Sequence, residues 1–344
     1  MTTTSREPRA GTGEAPEDIK AVPVRHPGRW VAVAVLAVLV AMLVNGVVNN
    51  PAYHWDTVGR YLFDRRLSAA ALVTIQLTVL AMFFGVVIGV ILAVMRLSPN
   101  PILSSAAWVY LWVFRGTPVY TQLVFWGLIS VLYPTFGIGI PFGPEFASFQ
   151  TVNVITFFVA AVIGLSLNES AYMAEIVRAG ILSVDEGQTE AASALGMRRA
   201  QIMRRIVLPQ AMRVIIPPTG NELISMLKTT SLVVAVPLTT DLYSKSREIA
   251  LALFQPVPLL ICAAIWYLAI TSVLMVGQYY LERYYARGSS RQLPPTPLQR
   301  LRMRLSGLRP PATRGVDAIP GARGPGGWTV PPIGGTHRDE GAGP

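Results

Sequence analysis

Six apolar stretches, most of them long enough to cross a lipid bilayer, constrain this chain more than any other feature. A helix needs roughly 20 apolar residues to cross the hydrocarbon layer, because each residue rises by about 1.5 Å. The stretches lie at residues 30–48, 69–95, 118–132, 152–172, 214–237 and 258–280. Charged residues make up 14% of the chain, whereas soluble domains carry roughly 25%. The pattern predicts an all-α integral membrane protein with six transmembrane helices.

An interruption divides the apolar residues 102–134, which are too many for one simple span. Its sequence is Arg115-Gly116-Thr117-Pro118. Proline removes a backbone donor from a helix, and the neighbouring glycine loosens the backbone. We therefore expect a helix at the membrane surface before the interruption and the third span after it. Residues 133–150 contain three prolines and three glycines, and we expect them to form a loop.

Both ends of the chain are polar and differ from the middle. Residues 1–29 and 286–344 are rich in proline, glycine and charged residues, which predicts two disordered tails. The first apolar stretch, 30–48, has no clear A-x-A cleavage site after it. We interpret it as a retained transmembrane helix rather than a removed signal peptide.

The distribution of lysine and arginine predicts the orientation of the chain in the membrane. With the N-terminus in the cytoplasm, 22 of the 29 Lys and Arg residues fall in cytoplasmic segments and 5 in outer loops. Cytoplasmic segments of membrane proteins carry this excess. Six spans return the chain to its starting side, so both termini are predicted to be cytoplasmic. The same distribution accounts for the net charge of +10 without nucleic acid, since the basic residues form no stripe on a soluble domain.

The polar segment between the fourth and fifth spans carries the most specific motif. It reads GQTEAASALGMRRAQIMRRIVLPQA and follows the spacing EAA-x3-G-x9-I-x-LP. This spacing resembles the EAA loop of ABC-importer permeases at every fixed position. In that family the loop is the coupling helix, which docks on the ATPase subunit. The coupling residues that the resemblance implies are Gly187, Glu190, Ala191, Ala192, Gly196, Ile206, Leu208 and Pro209.

The physical properties of the same segment fit a docking element. Residues 190–195 form a good helix sequence, and its alanines allow another backbone to approach closely. Gly196 can adopt the left-handed conformation that ends a helix. We expect a protruding helix–turn–helix, in which Gly196→Asp would add a side chain where only a tight backbone turn fits. An EAA tripeptide alone is only a helix-forming sequence, but the full spacing on a loop that the charge distribution places in the cytoplasm favours docking.

Further motifs extend the resemblance to the polar amino-acid permeases. They are AYMAEIVRAGI and LKTTSL within residues 171–232 and RGTP at 115–118. The similarity covers about residues 66–285 and implies a type I ABC-importer permease domain with five transmembrane helices. The helix at 30–48 is then an extra, N-terminal one. The resemblance implies transport of a polar or charged L-amino acid, with a glutamate-like or glutamine-like side chain as first choice.

The same resemblance implies the location and the partners of the chain. It places the chain in the bacterial cytoplasmic membrane, among membrane lipid, with no cofactor of its own. The partners are a dimer of ABC ATPase subunits, a second permease (the same chain or a paralogue) and an extracytoplasmic solute-binding protein.

Polar side chains in or near the spans are candidates for the translocation path. They are Gln76, Gln122, Glu175, Asn221 and Lys228. The amides can instead form hydrogen bonds between helices, and Glu175 can instead pair with Arg178, three residues along the same helix. A lysine at membrane depth faces a cavity or a partner, so Lys228 can also pair with an acidic group at a helix end.

The chain carries no sequence pattern of an enzyme. It has no G-x-x-x-x-G-K-[ST] phosphate-binding loop, so ATP hydrolysis is expected in a separate chain. No Ser/His/Asp cluster or carboxylate pair suggests catalytic residues. A single cysteine, Cys262, and three scattered histidines predict neither a disulfide nor a metal site. The alternative function is a self-sufficient ion-coupled carrier or channel, which would need two pseudo-symmetric halves that these spans do not show.

Overall fold

The computed structural model describes residues 27–140 and 145–285 and is 83% helical. The predicted disordered tails at 1–29 and 286–344 lie outside the described residues, apart from residues 27–29, which begin the first helix. The helices are α1 (Pro27–Asn49), α2 (Trp55–Tyr61), α3 (Arg65–Arg96), α4 (Pro101–Gly116), α5 (Val119–Gly127), α6 (Ile129–Leu132), α7 (Thr151–Val154), α8 (Phe157–Leu182), α9 (Glu186–Ala194), α10 (Arg199–Ile202), α11 (Leu208–Thr229), α12 (Leu242–Leu253) and α13 (Pro256–Tyr285).

Four of these helices, α1, α3, α8 and α13, are long and apolar enough to cross a membrane. The third predicted span, 118–132, consists of the short helices α5 and α6, and the fifth, 214–237, falls on α11 and a following 3-10 segment, Thr230–Ala235. The all-α membrane architecture is therefore present, and the count of six transmembrane helices stays a prediction. The fourth predicted span ended at Tyr172, but α8 continues to Leu182.

Small residues bring α3 and α8 into close contact. Ala81, Gly85, Gly89 and Ala93 recur at every fourth position of α3, and all are buried. A Cβ atom built on Gly89 would lie 2.6 Å from the Cβ atom of Met173 on α8 and 3.0 Å from a backbone oxygen of the same helix. Helices in membranes associate largely through such close packing. The α3–α8 pair therefore forms the centre of the fold.

The short helix α5 and the 3-10 segment complete this core. Leu77 of α3, Leu123 of α5, Leu165 of α8 and Val233 of the 3-10 segment are fully buried in one hydrophobic cluster. The segments of the predicted third and fifth spans thus pack against the two long helices. Burial in protein is the condition under which non-helical backbone is tolerated at membrane depth.

Two paired β-strands lie within residues 133–150, where the sequence predicted a loop. Strand β1 (Thr135–Gly139) pairs antiparallel with β2 (Glu145–Gln150), with Phe136 opposite Phe149. The rings of these two residues lie 6.4 Å apart. Cross-strand aromatic pairs of this kind stabilise short strands. The sequence shows only a weak alternation of apolar residues between its prolines and glycines, so the strands were not predicted.

Helix α1 lies apart from the core. Its side chains are exposed almost throughout, and the indole Nε1 of Trp55 donates a hydrogen bond of 3.1 Å to the carbonyl oxygen of Val47. The extra helix predicted at 30–48 is therefore present as a helix.

Candidate functional site

Helix α9 carries the EAA motif and is closed at both ends by local hydrogen bonds. The Asp185 carboxylate accepts a hydrogen bond of 2.8 Å from the Gly187 backbone N–H, which caps the first turn. At the other end, the N–H groups of Gly196 and Met197 donate to the carbonyls of Ser193 and Ala192. This is the Schellman pattern that ends helices at a left-handed residue.

Gly196 has φ +74°, so the left-handed turn predicted from the sequence is confirmed. A Cβ atom built on Gly196 meets no heavy atom within 4 Å. The side chain that Gly196→Asp adds would therefore meet open space, and the loss of function expected of this variant stays a prediction. The constraint on this position is the backbone conformation, which costs an L-residue with a Cβ roughly 1–2 kcal/mol.

A small hydrophobic cluster holds the α9–α10 loop (residues 185–207) together. Ala192, Ile202 and Val207 are buried, and Met197 and Ile206 pack against them. Two of the predicted coupling residues therefore contribute to this cluster, Ala192 as a buried residue and Ile206 as a half-buried one. Ile202 and Val207 were missed by the motif, although their spacing on a helical segment was a usable signal.

The outer surface of α9 is exposed. It presents Gly187, Glu190 and Ala191 of the predicted coupling residues. At its end the Leu195 side chain is 83% exposed, and the motif did not single it out. A fully exposed leucine beside small residues and Glu190 forms a surface suited to a protein partner.

The Leu208-Pro209 end of the motif starts α11. Residues 203–207 form a π-turn, in which the Leu208 N–H donates to the carbonyl of Met203. Proline cannot donate an N–H to the preceding turn, and π-turns inside helices often mark functional positions. Leu208 and Pro209 are exposed, and the Gln210 amide donates to the side-chain oxygen of Gln188 on α9. This hydrogen bond connects α9, which carries the EAA residues, to the start of α11, which carries Leu208 and Pro209.

The Gln122 side chain supplies hydrogen bonds to backbone carbonyls at the helix interruption of the RGTP motif. Pro118 cannot donate to the Phe114 carbonyl, and the Gln122 Nε2 group donates to that oxygen at 3.0 Å and to the Thr117 carbonyl at 3.1 Å. Asn168 of α8 donates to the same Phe114 oxygen at 3.1 Å. Gln122 is buried, and its side-chain oxygen accepts a bond from Asn168. For Gln122, the geometry therefore favours hydrogen bonding between helices over a role in the translocation path.

The other candidates for the path lie on separate surfaces. Gln76 is exposed on α3. Glu175 of α8 accepts two hydrogen bonds from Arg178, the shorter of 2.7 Å, as the ion-pair alternative expected. Asn221 and Lys228 are exposed on α11 and share one helix face. Within residues 27–140 and 145–285 no carboxylate pairs with Lys228.

A buried carboxylate that the sequence reasoning missed lies between the helices. Glu169 of α8 is 4% exposed, and its Oε1 atom has no hydrogen-bond partner among the described residues. Its side chain packs on Gly85 of α3, and the half-buried Glu222 of α11 is close enough to interact with it electrostatically. A glutamate inside an apolar helix was the available signal, because ionisable groups at membrane depth are functional candidates by default.

Comparison with known proteins identifies the family. Residues 85–287 match the family described as binding-protein-dependent transport system inner membrane component. The chain is 57% identical to an arginine transport system permease protein of Corynebacterium glutamicum, over 85% of this chain and 91% of the relative. It is 38% identical to an L-cystine transport system permease protein of Bacillus subtilis, over 67% of this chain and 91% of the relative.

A solved structure has the same fold. The crystal structure of an amino acid ABC transporter with histidines aligns at a TM-score of 0.52 and 35% identity, covering 64% of this chain and 94% of that chain. The fold is thus that of a type I ABC-importer permease, and the alternative of a self-sufficient carrier or channel has no support among these proteins. The chain is a multi-pass membrane permease and belongs to the family of binding-protein-dependent transport system inner membrane components.

Proposed function

We propose that this chain forms the transmembrane path of an ATP-driven amino-acid importer and that separate ATPase chains dock on the outer surface of α9. The exposed surface around Glu190, Ala191 and Leu195 supports the docking position. The buried cluster of the α9–α10 loop supports a rigid element, which is what transmission of movement between chains requires. The lack of a phosphate-binding loop in the sequence supports placing ATP hydrolysis elsewhere.

The proposed orientation follows from the charge distribution. The α9–α10 loop and both termini face the cytoplasm, where the ATPase subunits are. The paired strands, α2 and α12 then face the opposite side, where a solute-binding protein delivers the substrate. A second permease, the same chain or a paralogue, completes the path.

For the substrate we propose an amino acid with a cationic side chain, of the arginine type. The observation that carries this choice is the pair of carboxylates, Glu169 and Glu222, between α3, α8 and α11. An unpaired buried carboxylate is costly, and a guanidinium group is the side-chain cation best suited to pair with it. The relative from Corynebacterium glutamicum supports the same choice. This proposal replaces the glutamate-like or glutamine-like side chain expected from the sequence.

The substrate proposal is tested by uptake in cells that express the full complex. We expect labelled arginine to accumulate, and labelled glutamate and glutamine to accumulate far less. Glu222→Gln should reduce arginine uptake about tenfold, because the guanidinium group of the substrate would lose a charged hydrogen-bond partner. The exposed Glu248→Gln is the matched control and should transport normally. Accumulation of glutamate or glutamine in preference to arginine would overturn the proposed substrate.

The docking proposal is tested separately by co-purification. Leu195→Asp places a charge on the exposed end of α9 and should reduce the amount of ATPase that purifies with the permease. Phe254→Asp is the control, because Phe254 is also a large apolar residue at a helix end and is 92% exposed. If both variants retain the ATPase equally, α9 is not the docking surface.

A further inference from the structure

The end of α3, the second half of α4 and the second half of α8 line an open pocket. Its volume is about 410 Å³, and its walls include Arg96, Trp108, Trp112, Arg115 and Glu175. The pocket is separate from the α9–α10 loop and from the carboxylates of Glu169 and Glu222. Glu175 is the one wall residue among the candidates for the translocation path, and its carboxylate is paired with Arg178.

The pocket carries an excess of positive charge. Arg96 Nη1 donates a bond of 3.2 Å to the Ser104 hydroxyl, while its Nε atom is buried and has no acceptor among the described residues. The Arg115 guanidinium lies 5.4 Å from the ring centre of Tyr172. No carboxylate in the described part of the chain pairs with either arginine. Glu175, the acidic group in the wall, is already paired with Arg178 at 2.7 Å.

The remaining wall is aromatic and open to the surroundings. The rings of Trp108 and Trp112 stack with centres 6.3 Å apart, and their side chains are 51% and 65% exposed. Tryptophan concentrates where lipid headgroups meet acyl chains. Helix α4, which carries both rings, is also the helix that the sequence places at the membrane surface.

We propose that this pocket binds the phosphate group of an anionic membrane phospholipid. Arginine guanidinium groups bind phosphate oxygens through charge-assisted, often bidentate, hydrogen bonds. Basic pockets between transmembrane helices bind lipid headgroups in this way. Free phosphate shares the same chemistry, but the exposed tryptophans beside the arginines favour a ligand that also carries an apolar part. The lipid would fasten α4 to the ends of α3 and α8.

Native mass spectrometry of the full chain, purified in detergent and supplied with defined lipids, tests the proposal. We expect phosphatidylglycerol to remain bound and phosphatidylcholine to bind much less. Arg96→Gln and Arg115→Gln should each lower the binding constant for phosphatidylglycerol about fivefold, since each basic residue near a lipid surface contributes about that factor. Arg115→Lys should retain most of the binding. Arg60→Gln, an exposed arginine on α2, is the matched control and should bind like wild type.

Three outcomes would overturn the proposal. Equal retention of the two lipids would remove the role of the anionic headgroup. Unchanged phosphatidylglycerol binding by Arg115→Gln would place the lipid elsewhere. Because Arg115 is exposed, this variant is expected to fold normally. Displacement of the lipid by equimolar inorganic phosphate would make the pocket a site for soluble phosphate. None of these results depends on the identity of the transported amino acid.

Discussion

The α3–α8 interface and the α9–α10 loop use glycine for different physical reasons. At Gly89, a Cβ atom would lie 2.6 Å from Met173, so the neighbouring helix leaves no space for a side chain. At Gly196, the same atom would meet nothing within 4 Å, but φ is +74°. The interior therefore requires glycine for its size, whereas the loop requires it for its backbone conformation.

Two aspartates that cap helices also differ, in this case in their exposure to solvent. Asp185 caps α9 and is exposed, whereas Asp241 caps α12 and is fully buried. The Asp241 Oδ2 atom accepts bonds of 3.1 Å from the N–H groups of Tyr243 and Ser244, but its Oδ1 atom has no partner among the described residues. Burial raises the pKa of Asp241 above its ordinary value, although the bonds from Ser244 and Tyr243 act in the opposite direction. Keeping the capping carboxylate charged therefore costs more free energy at the buried Asp241 than at the exposed Asp185.

The largest effect is expected at the tight interface. Gly89→Ala should destabilise the fold by about 1–3 kcal/mol, because the added methyl group forces α3 and α8 apart. Gly277→Ala in α13 is the control, since its Cβ atom would meet nothing within 4 Å. Thermal unfolding of the purified chain measures both. Equal melting temperatures for the two variants would contradict the close packing described here.

The next effect concerns the hydrogen bonds of Gln122 at the interruption between α4 and α5. Gln122→Leu should cost about 1–3 kcal/mol, because the Thr117 carbonyl loses its amide donor and the Phe114 carbonyl keeps only Asn168. Gln76→Leu is the matched control for thermal unfolding, since Gln76 is exposed. Thermal unfolding and uptake should be measured together. Normal stability with lost transport would show that Gln122 serves the path instead.

A smaller effect is expected at the turn of the α9–α10 loop. Gly196→Val should weaken ATPase co-purification by up to about tenfold, because a left-handed conformation costs a β-branched residue roughly 1–2 kcal/mol. Gly196→Asn should retain most of the binding, since asparagine adopts this conformation more readily. Membrane insertion should be normal for both. If the two variants lose binding equally, space rather than backbone conformation limits this position.

The smallest effect concerns the buried cap. Because the native fold raises the pKa of Asp241, it binds the proton more tightly than the unfolded chain does. Stability should therefore rise as pH falls from neutral toward the ordinary aspartate pKa. Asp241→Asn keeps the cap and removes the charge, so it should raise the melting temperature slightly at pH 7.5 and flatten this pH dependence. Asp185→Asn is the exposed control. A lower melting temperature for Asp241→Asn at pH 7.5 would contradict the assignment.

Local motifs were predicted from the sequence more successfully than contacts between helices. The left-handed Gly196 and the Glu175–Arg178 pair depend on residues close together in sequence, and both are confirmed. The paired strands β1 and β2 were missed, since their pairing depends on a weak alternation of apolar residues among prolines and glycines. Glu169 was missed because its unpaired state depends on what α3 and α11 place beside it.

By itself, the sequence determined that this chain is a helical membrane protein with a defined loop between its fourth and fifth apolar stretches. Hydrophobic length and residue spacing are properties of neighbouring residues, so they can be detected without a fold. Only the tertiary structure decided which polar groups are satisfied within the described residues. Gln122 completes hydrogen bonds at a broken helix, while Glu169 and the Arg96 Nε atom remain without partners there. Those outcomes depend on which helices meet, and that is settled by packing between residues far apart in the chain.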